Sequence, residues 1–319
     1  MVRIGIPQAL MFYRYSPLWH AIFRHADLEV VLSQRPEKGF IMEGDLPGPP
    51  EICLPVKLFL AHVNQLATRC DQIFIPRLIS IERDTYNCPH FLGIPDVARA
   101  QCRSTIPVLD PIWNAKIQPD PLKAFVQQIY NHCGVPHSLS RKAIAQFKEI
   151  QDQAMVRFPA RMVPRLFDQV DISQARFIIG IVGRPYILYE PELAGRIFSF
   201  FKKERCFLIT PEMISQKLKL TSLQHLERPI FWYNCRENAG AAFSMFSNKR
   251  LNGLVQIVTF GCGPDSLIKE LIDLHSSEQR GLPYLSLVID QQSGLEAIQT
   301  RLEAFMDMVK RAFRRRLTN

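Results

Sequence analysis

The sequence predicts an α/β protein with parallel sheets, built as two similar domains that face each other across a cleft and are joined by a helical connector. Three observations lead there. Short apolar runs alternate with helix-length segments over the first third, the alternation gives way to helices alone after Pro119, and it resumes at Arg176 with a phrase like the one that opens the chain. Alternating strand and helix signals mark a parallel sheet covered on both faces. The expected boundaries are 1–118 for the first domain, 119–172 for the connector and 173–319 for the second domain.

In the first domain, Val2–Pro7 reads as a strand and Ala9–Ala26 as a helix, with Leu10, Tyr13, Leu18 and Ile22 near one face. Leu28–Leu32 is a second strand, Leu54–Leu66 a helix, Gln72–Ile75 a third strand and Ile106–Leu109 a fourth. A Gly- and Pro-rich loop spans Gly39–Pro50, and a long polar loop is expected over Arg77–Arg103. Long loops inside compact α/β domains are usually functional. The connector is helical and broken at Gly134 and Pro136, with Ser138 or Ser140 suited to cap its next helix.

In the second domain, Arg176–Val182 is a strand ending in Gly183, Arg184, Pro185 and Tyr186, with a helix from Pro191. Cys206–Ile209 is a strand with a helix from Pro211, and Ile230–Phe246 reads as helical. Gly253–Phe260 is a buried central strand, followed by a helix from Pro264, a strand over Tyr284–Ile289, and a closing helix introduced by Gly294 and running to Arg316. Ile4, Gly5, Ile6 and Pro7 parallel Ile179, Gly180, Ile181 and the Gly183–Pro185 turn, a weak internal repeat.

Composition bounds the function. The chain has 319 residues, 47% hydrophobic and 22% charged, and no apolar run approaches the roughly 18–20 residues that a membrane helix requires. Its start reads as a strand rather than a signal peptide, so a cytoplasmic location is expected. Lys and Arg number 39 against 30 Asp and Glu, a formal charge of +9. Much of that excess lies between Lys310 and Arg316, where basic residues also complement a helix C-terminus. With no zinc-finger spacing and no RNA-binding aromatic pattern, the charge argues for an anionic ligand or acidic partner rather than nucleic acid.

Eight cysteines are too dilute for a disulfide scaffold. Cys70, Cys102, Cys133, Cys206 and Cys235 lie among apolar or helical residues without Gly or Pro framing and read as buried packing thiols. The remaining three are framed. Cys262 sits between Gly261 and Gly263 at the end of a strand and the start of a helix, with Pro264 and Asp265 in the first turn. Backbone N–H groups and the helix dipole favour a thiolate there. Cys53 opens the helix after the second strand, and Cys88 stands before Pro89 in the loop after the third. In open α/β sheets ligands bind beyond the carboxyl ends of the strands, where all three lie. Three thiols with no evident fourth ligand suit an iron–sulfur cluster with one open iron, or a thiolate-rich zinc site. The plainer alternative is one helix-cap thiol and two packing residues.

The flanking phrases carry a resemblance. Ile4–Pro7 with Tyr15, Pro17 and Trp19; Glu51, Cys53, Pro55 and Lys57; Phe74–Arg77; Tyr86–Pro89; Gly183, Pro185 and Tyr186; Phe260–Ser266; and Thr300–Phe305 follow one another in order. Through them the chain resembles the acyl-CoA dehydratase activase-related proteins, which are related to the cluster-bearing subunits of 2-hydroxyacyl-CoA dehydratases. The resemblance implies two Rossmann-like domains and a [4Fe–4S] cluster held between them by Cys53, Cys88 and Cys262. It also implies a separate ATP-hydrolysing activase as the source of low-potential electrons. It leaves room for an acyl-CoA or other small-molecule substrate, and for a homodimer or heterodimer.

One segment departs from the family pattern. After Asp290 the family usually continues with an acidic residue and a histidine, whereas this chain has Gln291 and Gln292, followed by Ser293, Gly294, Leu295, Glu296 and Ala297. Polar or proton-transfer chemistry there is weakened or altered. No proton-transfer pair, Ser-His-Asp arrangement or P-loop is identifiable. The expected function is an iron–sulfur redox protein, with turnover as a reductase or dehydratase component left open; the alternatives are a non-catalytic cluster carrier or accessory partner, and a structural zinc protein. Glu51, Lys57, Arg77, Glu82, Arg184, Asp265 and Asp290 are the charged residues expected near the site, with His90 within reach of it.

Overall fold

The computed structural model describes residues 2–34, 46, 48–101, 106–136, 138–146, 149, 170–278, 281–291 and 294–318. Most of the Gly39–Pro50 loop, Cys102, His137, residues 151–169 of the expected connector, and Gln292 and Ser293 of the departing segment lie outside the described residues. The chain divides into two compact units, Met1–Ala154 with Ile230–Tyr233, and Met155–Pro229 with Asn234–Asn319.

The first unit runs β1 (Arg3–Ile6), α1 (Phe12–His25), β2 (Glu29–Leu32), α2 (Leu54–Leu66), β3 (Gln72–Phe74), β4 (Arg77–Ser80), α3 (Pro89–Gln101), β5 (Val108–Leu109), β6 (Ile112–Asn114) and α4 (Pro121–His132). Its four-stranded sheet has the order β2-β1-β3-β5 and is parallel throughout, with Ile4 opposite Val30 and Gln72, and Ile73 opposite Val108. Ile4, Ile6, Ile73 and Phe74 are fully or almost fully buried, as strands covered on both faces must be. Phe74 is the hub of an aromatic cluster, meeting Trp19, Phe23 and Phe125 edge-on at centroid distances of 5.3, 5.1 and 6.2 Å. Edge-to-face contact satisfies the ring quadrupoles in addition to removing apolar area from water. Asp120 caps α4 by accepting from Lys123 N at 3.0 Å, with Pro121 in the first turn.

The expected polar loop over Arg77–Arg103 is instead β4 followed by α3. β4 pairs in parallel with β6, Arg77 standing opposite Ile112. The two short sheets continue one ladder, because Ile73 N, Ile75 N and Arg77 N donate to the carbonyls of Pro107, Leu109 and Pro111, each at 2.9 Å. Donors alternate along a parallel strand, so Pro76 falls where no ladder N–H is needed, and Pro107 and Pro111 supply only carbonyls. Proline therefore bends this pair without breaking it.

The second unit runs β7 (Phe177–Val182), α5 (Pro185–Leu188), α6 (Pro191–Lys203), β8 (Cys206–Ile209), a 3₁₀ turn (Pro211–Met213), α7 (Gln216–Ser222), α8 (Tyr233–Phe246), β9 (Gly253–Thr259), α9 (Gly263–Glu278), β10 (Tyr284–Ile289) and α10 (Leu295–Thr318). Its sheet is β10-β9-β7-β8, again parallel. Counted in chain order within each unit, both sheets read second, first, third, fourth. Every residue of β9 is buried. Gly253 opens β9 because α10 crosses there: a Cβ would lie 2.6 Å from Phe305 Cζ. The helix expected from Pro211 is a 3₁₀ turn before α7, and that expected from Ile230 begins at Tyr233. Residues 230–232 stay extended because Trp232 bridges Tyr86 and Phe231 O accepts from Tyr86 N at 2.8 Å.

Candidate functional site

The three framed cysteines share one local geometry. Cys53 is the N-cap of α2, with extended backbone (φ −62°, ψ 147°), and its carbonyl accepts from Val56 N at 2.9 Å and Lys57 N at 3.3 Å. Cys88 precedes Pro89 at the start of α3, and its carbonyl accepts from Phe91 N at 3.0 Å and Leu92 N at 3.4 Å. Cys262 precedes α9, and its carbonyl accepts from Ser266 N at 3.0 Å and Ser266 Oγ at 3.0 Å. Each is followed by a proline in the first two helical positions (Pro55, Pro89, Pro264), where a missing N–H removes no helical bond. A thiol at a helix N-cap faces the unpaired N–H groups and positive end of the dipole, which favour sulfur as an anion.

The turns that present them are built differently. Residues 86–88 are held by backbone bonds from Asn87 N to Ile79 O at 2.9 Å and from Tyr233 N to Tyr86 O at 2.8 Å. The buried Asn87 side chain adds a bond to Leu78 O at 2.9 Å. Before Cys262 the chain reverses through Gly261 at φ +78°, a left-handed conformation that other residues adopt only with strain. Cys53 and Cys88 are partly exposed and Cys262 is 8% exposed.

In the first unit, Cys53 Sγ lies 3.7 Å from Nδ1 of His90, the second residue of α3. The ring is half-buried, and burial lowers its pKa. His90, expected within reach of the site, thus stands beside Cys53. Arg77 is engaged by two carboxylates. It is paired with Asp96 at 2.7 Å and Asp110 at 3.3 Å, and donates to Leu92 O at 2.6 Å, tying β4 to α3. Below the two helix starts lies an apolar cavity of about 20 Å³ lined by Leu10, Trp19, Phe59, Phe74, Phe91 and Ile94 among others. It has room for about one water.

In the second unit, the start of α9 is tied to a buried arginine. Arg184, 2% exposed, donates from Nε to Asp265 Oδ1 at 2.8 Å, from Nη1 to the Tyr186 hydroxyl at 2.6 Å and from Nη2 to Cys235 Sγ at 3.5 Å. Burial opposes its charge, but Asp265, Tyr186, Cys262 and Cys235 outweigh that and hold it protonated. Asp265 Oδ2 is buried without a hydrogen-bond partner among the described residues. Cys235 donates to Pro264 O at 3.5 Å and is fully buried. Sequence reasoning counted it as one more packing thiol, because nothing in its neighbourhood is framed by Gly or Pro. In topology, α8 is the helix before the third strand of its unit, as α2 is in the first, so Cys235 corresponds to Cys53 and Cys262 to Cys88.

The other described thiols are inert by environment. Burial pushes Cys70 and Cys133 up, and Cys206 up to about 12; Cys70 donates to Leu66 O at 3.1 Å and Cys206 to Glu204 O at 3.8 Å. Among the described residues no group of three or more His, Cys, Asp or Glu side chains is gathered around one ion position. No helix among them is long and apolar enough to cross a membrane.

Residues 3–214 match the family described as the CoA enzyme activase uncharacterised domain (DUF2229). No curated protein gives a significant match to the chain. Among solved structures, the chain is similar to a crystal structure of an SsGBP mutation variant, with 11% identity over 97% of this chain and 98% of that chain. The TM-score of that likeness is 0.28, too low to carry an argument.

Proposed function

Since the chain belongs to the family of the CoA enzyme activase uncharacterised domain, we propose that it is an iron–sulfur component of a CoA enzyme activase system, with Cys53, Cys88 and Cys262 as the thiolate ligands of a [4Fe–4S] cluster. The observation that carries this is the shared placement of the three thiols, each at a helix N-cap with a proline in the first turn. A donor set of three such thiols suits a cluster, because the N–H groups around each offset the negative charge that thiolates and sulfides accumulate. When bound, the group supplies one-electron redox chemistry at low potential. The chain's own residues then hold and insulate it. Asn87 and Gly261 fix the turns that present Cys88 and Cys262, and the Arg184 cation lies beside the start of α9. An ATP-hydrolysing activase is the proposed electron donor, and an acyl-CoA thioester the proposed substrate class. A non-catalytic carrier would bind the cluster equally and show no turnover with acyl-CoA compounds.

A second reading has one specific observation in its favour. Two ligands on a tetrahedral zinc, with bonds of about 2.3 Å to sulfur and 2.0 Å to nitrogen, stand about 3.5 Å apart, and Cys53 Sγ and His90 Nδ1 stand at 3.7 Å. Anaerobic reconstitution followed by iron, sulfide and zinc analysis separates the two. Stoichiometric iron with acid-labile sulfide and a reducible electron paramagnetic resonance signal supports the cluster; a colourless protein with zinc and no sulfide overturns it.

A further inference from the structure

We infer that His90 is a positioning residue for the group held by Cys53, donating a hydrogen bond from Nδ1–H to Cys53 Sγ and thereby raising that group's reduction potential. The inference rests on the cluster reading above and extends it to a residue outside the three thiols. The separation of 3.7 Å is that of an N–H···S contact, and it joins side chains at the starts of two helices, the N-cap of α2 and the second residue of α3. In the free protein either partner supplies the proton. A metal-bound thiolate has none, so the ring becomes the donor by necessity. Both the neutral Nδ1–H tautomer and the imidazolium provide it, and the role needs no particular protonation state.

The distance also decides what His90 does not do. Terminal ligands on different irons of one cubane stand roughly 6–7 Å apart, given iron–sulfur bonds near the ~2.3 Å of metal thiolates. A nitrogen 3.7 Å from Cys53 Sγ is too near to bind a neighbouring iron and well placed to bond the sulfur. Hydrogen bonds to ligand sulfur withdraw charge and favour the reduced, more negative state. In the second unit, Cys235 Sγ receives a comparable contact from Arg184 Nη2 at 3.5 Å, so N–H donors face sulfur in corresponding places of both units.

The test is a redox titration of the full chain, reconstituted anaerobically and followed by electron paramagnetic resonance, comparing the unsubstituted protein with His90→Leu and His90→Asn. Thermal unfolding of the apoproteins checks that the folds are equal. The expected result is a midpoint potential shifted to more negative values in His90→Leu, with iron and sulfide content retained, and a smaller shift in His90→Asn, which keeps an amide N–H. An unchanged potential in His90→Leu overturns the inference and leaves the cluster reading intact. Loss of the cluster from both variants also overturns it, since His90 would then serve assembly. Absence of a cluster from the unsubstituted protein overturns the cluster reading itself, and the inference with it.

Discussion

His62 couples folding to pH more directly than any other described histidine. It is 1% exposed on α2, its Nδ1 meets Ser33 Oγ at 2.8 Å, and its Nε2 is buried without a partner among the described residues. Ser33 Oγ also accepts from Gln8 N at 2.8 Å. Burial pushes the imidazole down to about 4 from the ordinary 6.5. The unfolded chain therefore binds a proton between those values that the folded chain refuses, and stability falls as pH drops from about 6.5 towards 4. The loss approaches roughly 3 kcal/mol at the acid end. Equilibrium denaturation across that range checks it, with His62→Gln expected to flatten the dependence. The buried Arg184–Asp265 pair makes a second prediction. Asp265→Ala leaves a buried cation without its carboxylate, and a loss of roughly 3–5 kcal/mol is expected, whereas Arg184→Met with Asp265→Leu should lose less than Asp265→Ala alone. Denaturation midpoints of the three proteins decide this.

At the scale of elements, two backbone positions show how the sheets meet their helices. Gly253→Ala places a methyl 2.6 Å from Phe305 Cζ and 2.9 Å from Val309 Cγ2, and should destabilise the second unit by about 1–3 kcal/mol through displacement of α10. Arg205 follows α6 at φ +56°, as Asp27 follows α1 at φ +53°, so the same helix-to-strand turn is built in both units without glycine. An L-residue there is strained, and Arg205→Gly should add about 0.5–1 kcal/mol of stability once the extra freedom of glycine in the unfolded chain is deducted. Thermal unfolding reads both changes. The same positions show why some elements were legible and others were not. β9 and β10 announce themselves as apolar runs. β4 and α3 do not, because Pro76, Pro89 and Pro95 punctuate them and Arg77, Arg83 and Asp84 dilute the pattern. Proline reads as a breaker unless one knows which N–H groups the ladder uses.

For the molecule as a whole, the proposed ligands are drawn from both units, Cys53 and Cys88 from the first and Cys262 from the second. A cysteine scan should therefore divide cleanly. Cys53→Ser, Cys88→Ser and Cys262→Ser are each expected to lower bound iron and sulfide several-fold, and Cys70→Ser, Cys133→Ser and Cys206→Ser to leave both unchanged. Iron and sulfide analysis after anaerobic reconstitution reads the difference, and equal content across all six variants would count against a shared site. The sequence by itself determined the α/β class and the elements that apolar periodicity marks, and Gly and Pro framing singled out the three thiols at helix starts. These are local properties, written in residues next to one another. Only the tertiary structure decided that His90 meets Cys53, that Arg184 is buried against Asp265 and Cys235, and that Arg77 turns to Asp96 and Asp110. Each of those contacts joins side chains from different elements, and pairing across elements depends on strand order and helix packing, which no local pattern encodes.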